Sequence, residues 1–261
     1  MNSDNKSIKL GEYTVKRMGL GTNRLTDTPD NRALLKRAVE LGIDFIDTAN
    51  IYQDGKSEQT IGNTLSPYPE GLVIGTKGGM VPGAEPNNEP EYLQKVLDES
   101  LQRLGTDCIT LYQIHRVSPK TPVKDTMAFL NEKKKEGRIK YIGLSEVTAE
   151  QIEEARKTAE IISVQNNYSM TERKHDRVVD YCQANDIVFI PFFPLRYNDR
   201  HAIESIAKKY NATASQIGLA WLLKRSPAML PIPGTLSLSH LEENIKALEI
   251  ELSDEDFEDL K

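Results

Sequence analysis

The feature that most constrains this 261-residue chain is a regular alternation of short apolar runs with amphipathic helical patterns. Runs near 18–22, 43–47, 72–77, 108–115, 139–144, 161–165, 187–191 and 229–232 read as strands. The first helical pattern opens at Thr28-Pro29, carries Leu34, Leu35, Ala38, Val39 and Leu41 on one side, and stops at Gly42. Proline suits the first turn of a helix, and glycine the position just past its end. Further helical patterns lie near 57–65, 89–104, 122–136, 149–159, 173–184, 201–209 and 239–248, with Thr148 and Gln151 forming a capping box for one of them. Eight strand–helix units make the count of a (β/α)8 barrel. The strands are apolar on both sides, which requires a parallel sheet covered by helices. A doubly wound open sheet is the rival, but no Gly-x-Gly-x-x-Gly turn follows the first strand.

Residues 7–16, with Ile8, Leu10, Tyr13 and Val15 around Gly11-Glu12, predict a hairpin that plugs the closed end. The expected architecture is therefore α/β: one domain over 1–261, a (β/α)8 TIM barrel with a short N-terminal β-hairpin closing the bottom. Two segments interrupt the spacing. Residues 80–90, rich in proline and asparagine, form a long loop on the open face and a candidate lid. An extra helical run near 215–224 places Trp221 in packing rather than in a ligand site.

A formal charge of −6 argues against nucleic acid as the main partner. No apolar run approaches membrane-spanning length, and residues 1–6 have no signal-peptide core, so a cytoplasmic protein is expected. The two cysteines, Cys108 and Cys182, stand alone on different elements, and the four histidines show no metal-ligand spacing. No metal is expected.

Three apolar runs end on an ionisable group. Phe45-Ile46-Asp47 closes on a carboxylate, Val73-Ile74-Gly75-Thr76-Lys77 on an ammonium, and Tyr112-Gln113-Ile114-His115 on an imidazole. A short turn after Asp47 delivers Tyr52 to the same end. In a parallel barrel these ends converge on one face, where a buried acid needs a cation. Asp47 with Lys77 can be a structural ion pair, His115 a satisfied core histidine and Tyr52 a surface turn residue; their shared placement favours one site.

Together with Gly19-Leu20-Gly21-Thr22, Gly143-Leu144-Ser145, Val164-Gln165, Ile232-Pro233-Gly234-Thr235 and Glu243-Asn244, these motifs make the chain resemble an aldo-keto reductase from about residue 8 to the C-terminus. The stretches 188–195 and 220–227 resemble a bacterial branch of that family that includes pyridoxal reductases. The resemblance implies NADPH-dependent reduction of an aldehyde or ketone, with Asp47, Tyr52, Lys77 and His115 as the catalytic tetrad. Tyr52 would give the proton, Lys77 would draw the phenol toward phenolate, Asp47 would keep Lys77 charged, and His115 would orient the carbonyl.

The same resemblance implies cofactor contacts from Gly21, Thr22, Asp47, Ser145, Glu146 and Gln165, with Phe192 stacked on the nicotinamide. Phe193, Pro194, Leu195 and Arg196 follow along the pyrophosphate, and Gly234, Thr235, Ser237, His240, Glu243 and Asn244 hold the adenosine side. Gly234 and His240 stand where lysine and arginine are common, which leaves NADH open beside NADPH. Arg196 stands where glycine is common, and its guanidinium would restore part of that phosphate charge. Asn23, Ile51 and Arg116 would line a polar substrate pocket that suits an aldehyde such as pyridoxal. The expected partner is a small-molecule carbonyl substrate, with the protein a monomer or weak homo-oligomer. The alternatives are a nicotinamide-binding regulatory subunit and, on different chemistry, a Schiff-base aldolase using Lys77.

Overall fold

The computed structural model describes residues 6–196 and 200–260; the polar start at 1–5 and the terminal Lys261 lie outside it. A hairpin comes first, β1 (Ser7–Leu10) paired antiparallel with β2 (Tyr13–Lys16). Seven parallel strands then form one sheet in sequence order: β3 (Leu20–Gly21), β4 (Phe45–Asp47), β5 (Val73–Gly78), β6 (Ile109–Ile114), β7 (Ile139–Ser145), β8 (Ile161–Gln165) and β9 (Val188–Phe189). Helices alternate with them: α1 (Pro29–Glu40), α2 (Lys56–Leu65), α3 (Pro90–Leu104), α4 (Val123–Lys135), α5 (Ala149–Arg156), α6 (Asp176–Ala184) and α7 (Arg200–Lys209). After α7 come α8 (Ala214–Arg225), α9 (Leu238–Lys246) and α10 (Asp254–Asp259).

The eighth stave, residues 229–234, closes the cylinder without forming a regular strand. On one side Leu230 N donates to Phe189 O at 2.9 Å; on the other, Gly19 N and Gly21 N donate to Pro231 O and Pro233 O at 2.9 and 3.4 Å. Residues of a strand alternate their hydrogen-bonding edges, so Pro231 and Pro233 both face β3 and lack the N–H groups that would answer it. The seam therefore keeps half of its ladder, and single bridges, Gly21 to Gly234 and Phe189 to Met229, mark the closure.

The caps follow the local chemistry. Thr28 accepts from Asn31 N at the start of α1, and Thr148 and Gln151 bond reciprocally at the start of α5. Arg17 is buried and donates to Leu223 O (2.8 Å), Ser226 O (2.5 Å) and Met229 O (3.1 Å), tying the end of α8 and the eighth stave to the chain entering β3. Trp221 is buried in α8 and stacks on Phe257 with ring centroids 5.4 Å apart.

Strand period decides what fills the cylinder. Phe45, Val73 and Leu111 pack inward with Val188, Ile190, Leu230 and Ile232, while Ile46, Ile74 and Tyr112 pack outward beneath the helices. Leu10 and Val15 of the hairpin join the inward cluster and seal its lower end. Each fully buried side chain of this kind contributes about 1.5–3 kcal/mol. Further along the same inward face, two residues on in β4 and β6 and four in β5, the strands arrive at Asp47, Gln113 and Lys77. The interior thus changes from oil to polar and charged groups within one or two strand repeats.

Residues 80–90 are pinned rather than free. Asn88 is buried, accepts from Ser118 N at 2.7 Å and donates to Arg116 O at 3.2 Å; Tyr92 Oη donates to Met80 O at 2.9 Å. The loop braces the segment after β6 and does not line the cavity at the open end, so the lid expectation is not supported.

Candidate active site

A cavity of about 480 Å³ opens at the strand C-termini. Its wall includes Gly21, Thr22, Asn23, Arg24, Asp47, Tyr52, His115, Arg116, Ser145, Gln165, Phe192, Phe193, Pro194, Ile232 and Gly234. Parallel register brings the polar ones level: Gly21 pairs with Asp47, Lys77 with Gln113, and Ser145 with Gln165.

Lys77 lies beneath this wall. Its Nζ donates to Asp47 Oδ1 and Oδ2 at 2.8 Å each and to Thr48 O at 2.7 Å. Gln165 Nε2 adds a bond to Asp47 Oδ1 at 2.7 Å. Burial works against the ammonium, but Asp47 and Tyr52 together outweigh it and hold the Lys77 pKa above its ordinary value. A protonated amine enclosed in this way is not a nucleophile, which opposes the aldolase alternative.

The turn that carries Tyr52 is fixed at both ends. Thr48 N donates to Gly75 O at 2.8 Å and Asn50 N to Lys77 O at 3.1 Å, so β5 holds the turn in register. Gln53 and Asp54 both take left-handed backbone (φ 52° and 55°), bending the chain into α2. Below the turn, Ser57 Oγ lies 2.8 Å from Thr48 Oγ1 and donates to Thr22 O at 2.9 Å. The Tyr52 ring ends up with its centroid 5.0 Å from Lys77 Nζ and 5.8 Å from the His115 ring, edge to face.

The direction of the Tyr52 pKa differs from expectation. Burial pushes the phenol up, and although Lys77 pulls the other way, burial prevails. Tyr52 is therefore a stored acid, protonated throughout the neutral range. His115 moves the opposite way: burial, Lys77 and Arg116 push the imidazole down to about 2, so it is neutral and carries one ring N–H.

The sequence-derived site splits into three groups. Asp47, Tyr52, His115, Gly21, Thr22, Asn23, Arg116, Ser145, Gln165, Phe192, Phe193, Pro194 and Gly234 share the cavity wall, with Lys77 directly below. Thr235 lines a narrow cleft that adjoins it on the Gly21 side. Ser237 caps α9, Glu243 Oε1 accepts from Thr213 Oγ1, and Asn244 is buried; these and His240 lie beyond the cavity, as do Ile51, Leu195 and Arg196. Arg196 instead sits over the Phe193 ring, with Cζ 4.5 Å from the centroid.

Glu146 turns away from the cavity. Its Oε1 accepts from Asn167 N at 2.6 Å, and Lys174 and His175 lie 3.6 and 3.8 Å from its carboxylate. Burial opposes its charge, yet these contacts hold its pKa down at about 2. Two wall residues were missed by sequence reasoning, Arg24 and Ile232. Arg24 Nη2 donates to Gly234 O at 3.4 Å across the seam. Its signal was its place one residue past Asn23; Ile232 is the inward residue of the eighth stave.

The wall fits a nicotinamide dinucleotide on its own chemistry. Ser145 Oγ and the Gln165 amide offer donor and acceptor atoms beside one aromatic face, Phe192, as a planar carboxamide ring requires. At the seam Gly21 and Gly234 present bare main chain: a Cβ on Gly21 would meet Ile232 O at 2.7 Å, and one on Gly234 would meet Gly21 O at 3.2 Å.

Comparison with known proteins agrees with this geometry. The model of the aldo/keto reductase family matches residues 17–198 and 193–261. An uncharacterized oxidoreductase of Schizosaccharomyces pombe is 42% identical over 268 residues, covering 96% of this chain and 87% of that protein. Pyridoxine 4-dehydrogenase of Escherichia coli is 35% identical, covering 95% of each. An aldo/keto reductase of Klebsiella pneumoniae, crystallised with NADP and acetate, superposes with a TM-score of 0.86 at 26% identity, over 98% of this chain and 94% of that one. These likenesses place the chain in the aldo/keto reductase family of oxidoreductases.

Proposed function

We propose that this protein reduces a polar aldehyde or ketone to the alcohol with NADPH, and that Tyr52 donates the proton. The observation that carries the reading is the placement of a protonated phenol on the cavity wall, next to a neutral imidazole and above a buried ammonium. When bound, NADPH supplies a hydride to the carbonyl carbon.

The chain's own residues do the rest. Phe192, Ser145 and Gln165 would hold and orient the nicotinamide, while Gly21, Thr22, Gly234 and Arg24 would accept the rest of the dinucleotide. His115 donates its ring N–H to the carbonyl oxygen and sets that oxygen beside Tyr52. As negative charge develops on the oxygen, Tyr52 hands over its proton, and Lys77 stabilises the phenolate left behind. Lys77 remains charged through the cycle because Asp47 contacts it with both oxygens. Burial keeps the proton on Tyr52 until the substrate oxygen becomes the better base.

Pyridoxal is the substrate we favour among polar aldehydes. Asn23, Arg24 and Arg116 give the wall its polar character, and a 35% identical relative is named pyridoxine 4-dehydrogenase. The test is NADPH oxidation, followed by absorbance, over a panel of aldehydes that includes pyridoxal, with Tyr52→Phe alongside. Turnover of pyridoxal by the wild type and its collapse in Tyr52→Phe are expected. Equal turnover by the two proteins would remove the proton-donor assignment.

A further inference from the structure

Two arginines line the cavity, and they stand on different sides of it. Arg24 bonds across the seam to Gly234, on the side assigned above to the dinucleotide. Arg116 immediately follows His115 and faces the tyrosine side, where the reacting oxygen must lie. Among the described residues no carboxylate lies within ion-pair distance of either one. The cavity's own acid, Asp47, is engaged by Lys77 and Gln165.

Arg116 is not a loose surface arm. It is half-buried, and its carbonyl is held by Asn88, which also fixes Ser118. Its Nη1 donates to His115 O at 2.5 Å and to Ser145 Oγ at 3.2 Å, and Cζ lies 5.9 Å from the centre of the Phe192 ring. A guanidinium has five N–H groups, and these two bonds leave those of Nε and Nη2 without a hydrogen-bond partner among the described residues. Glu146 acts on it electrostatically, but that carboxylate is bound to Asn167 N and faces Lys174 and His175. Burial already disfavours the charge on Arg116. A partly desolvated cation fixed in this way gains most from an anion that enters with the substrate.

We infer that Arg116 selects carbonyl substrates bearing an anionic oxygen a few bonds from the reacting carbon. The inference rests on the reductase reading above and adds a substrate class to it. The anion is either a carboxylate, as in a short oxo acid, or an aryl oxide next to an aldehyde, as in pyridoxal. Both offer the same charged acceptor to the free edge of the guanidinium.

The test compares matched pairs by steady-state kinetics. Succinic semialdehyde against butanal probes the carboxylate, and pyridoxal against pyridine-4-carboxaldehyde probes the oxide. The reading is the ratio of kcat/KM for the charged member to that for its neutral partner, which cancels any loss common to both. In the wild type at least one pair should show a ratio of about 10 or more, and Arg116→Gln should cut that ratio by roughly 10- to 100-fold, mainly through KM. Arg116→Lys should restore part of it, and this second variant keeps the test valid if the glutamine protein folds poorly. Ratios near one in the wild type, or equal losses for both members in Arg116→Gln, would overturn the inference while leaving the reductase reading intact. No turnover of any of the four aldehydes would take down both.

Discussion

Lys77 Nζ and the two carboxylate oxygens of Asp47 are 2.8 Å apart, with the two side chains no more than 3% exposed. Such a pair is costly to assemble and costlier to break, because each partner stabilises a charge that the interior would otherwise expel.

Lys77→Met should therefore leave Asp47 unpaired and destabilise the fold by about 3–5 kcal/mol. Combining Lys77→Met with Asp47→Leu should recover much of that stability without recovering reductase activity. Urea unfolding of the three proteins checks the first part and NADPH oxidation the second. A double variant no more stable than Lys77→Met would show that the pair is not the cause.

Tyr52→Phe should lower kcat by about 10²- to 10⁴-fold with the NADPH dissociation constant little changed, since only the proton is removed. Because burial raises the phenol's pKa, the reduction rate should show no loss from Tyr52 ionisation as pH rises through neutrality, and should decline only above its ordinary value of 10. An alkaline limb centred near neutral pH and absent from Tyr52→Phe would contradict this.

His115 makes stability depend on acid. Its folded pKa lies near 2 against an ordinary 6.5, so the neutral form belongs to the fold. The stability linked to it is complete above 6.5 and is lost as pH falls from there toward about 2, by about 1.4 kcal/mol per pH unit. Between pH 7.5 and 5, His115→Gln should lose about 2 kcal/mol less than the wild type. Parallel urea titrations at the two pH values decide it, and identical slopes would count against the buried neutral imidazole.

Arg24 and Arg196 can be ranked. Arg24 lines the cavity beside Gly234, whereas Arg196 rests on Phe193 outside it. Arg24→Ala should weaken NADPH binding by about 10-fold and Arg196→Ala by about threefold or less, as measured by titration calorimetry. The reverse order would return Arg196 to the role its sequence position suggested.

The barrel was legible because strand and helix periods differ and because eight repeats leave little choice of closure. Asp47 and Lys77 were legible as partners because each ends an apolar run on the inward face, where neither is stable alone. Other features were out of reach. Whether burial or Lys77 governs the Tyr52 phenol is a balance of opposing forces that depends on solvent access, which a string of residues does not encode. Glu146 was assigned to the cofactor by its position, but its left-handed backbone (φ 54°) and the later residues Asn167, Lys174 and His175 turn it elsewhere. Arg24 reaches the cavity only because Gly234, more than two hundred positions later, closes the cylinder beside it.

The half-laddered seam has a bearing on how such a cavity can change. On that side a ligand meets peptide edges, because a methyl group on Gly21 would collide with the carbonyl of Ile232. Drift in side chains has less purchase there: Gly21 and Gly234 leave bare main chain on the face proposed for the dinucleotide, and Thr22 and Arg24 are the side chains that join them. New substrate preferences are more readily written on the facing wall, where Arg116 stands, than on the glycine edges of the seam.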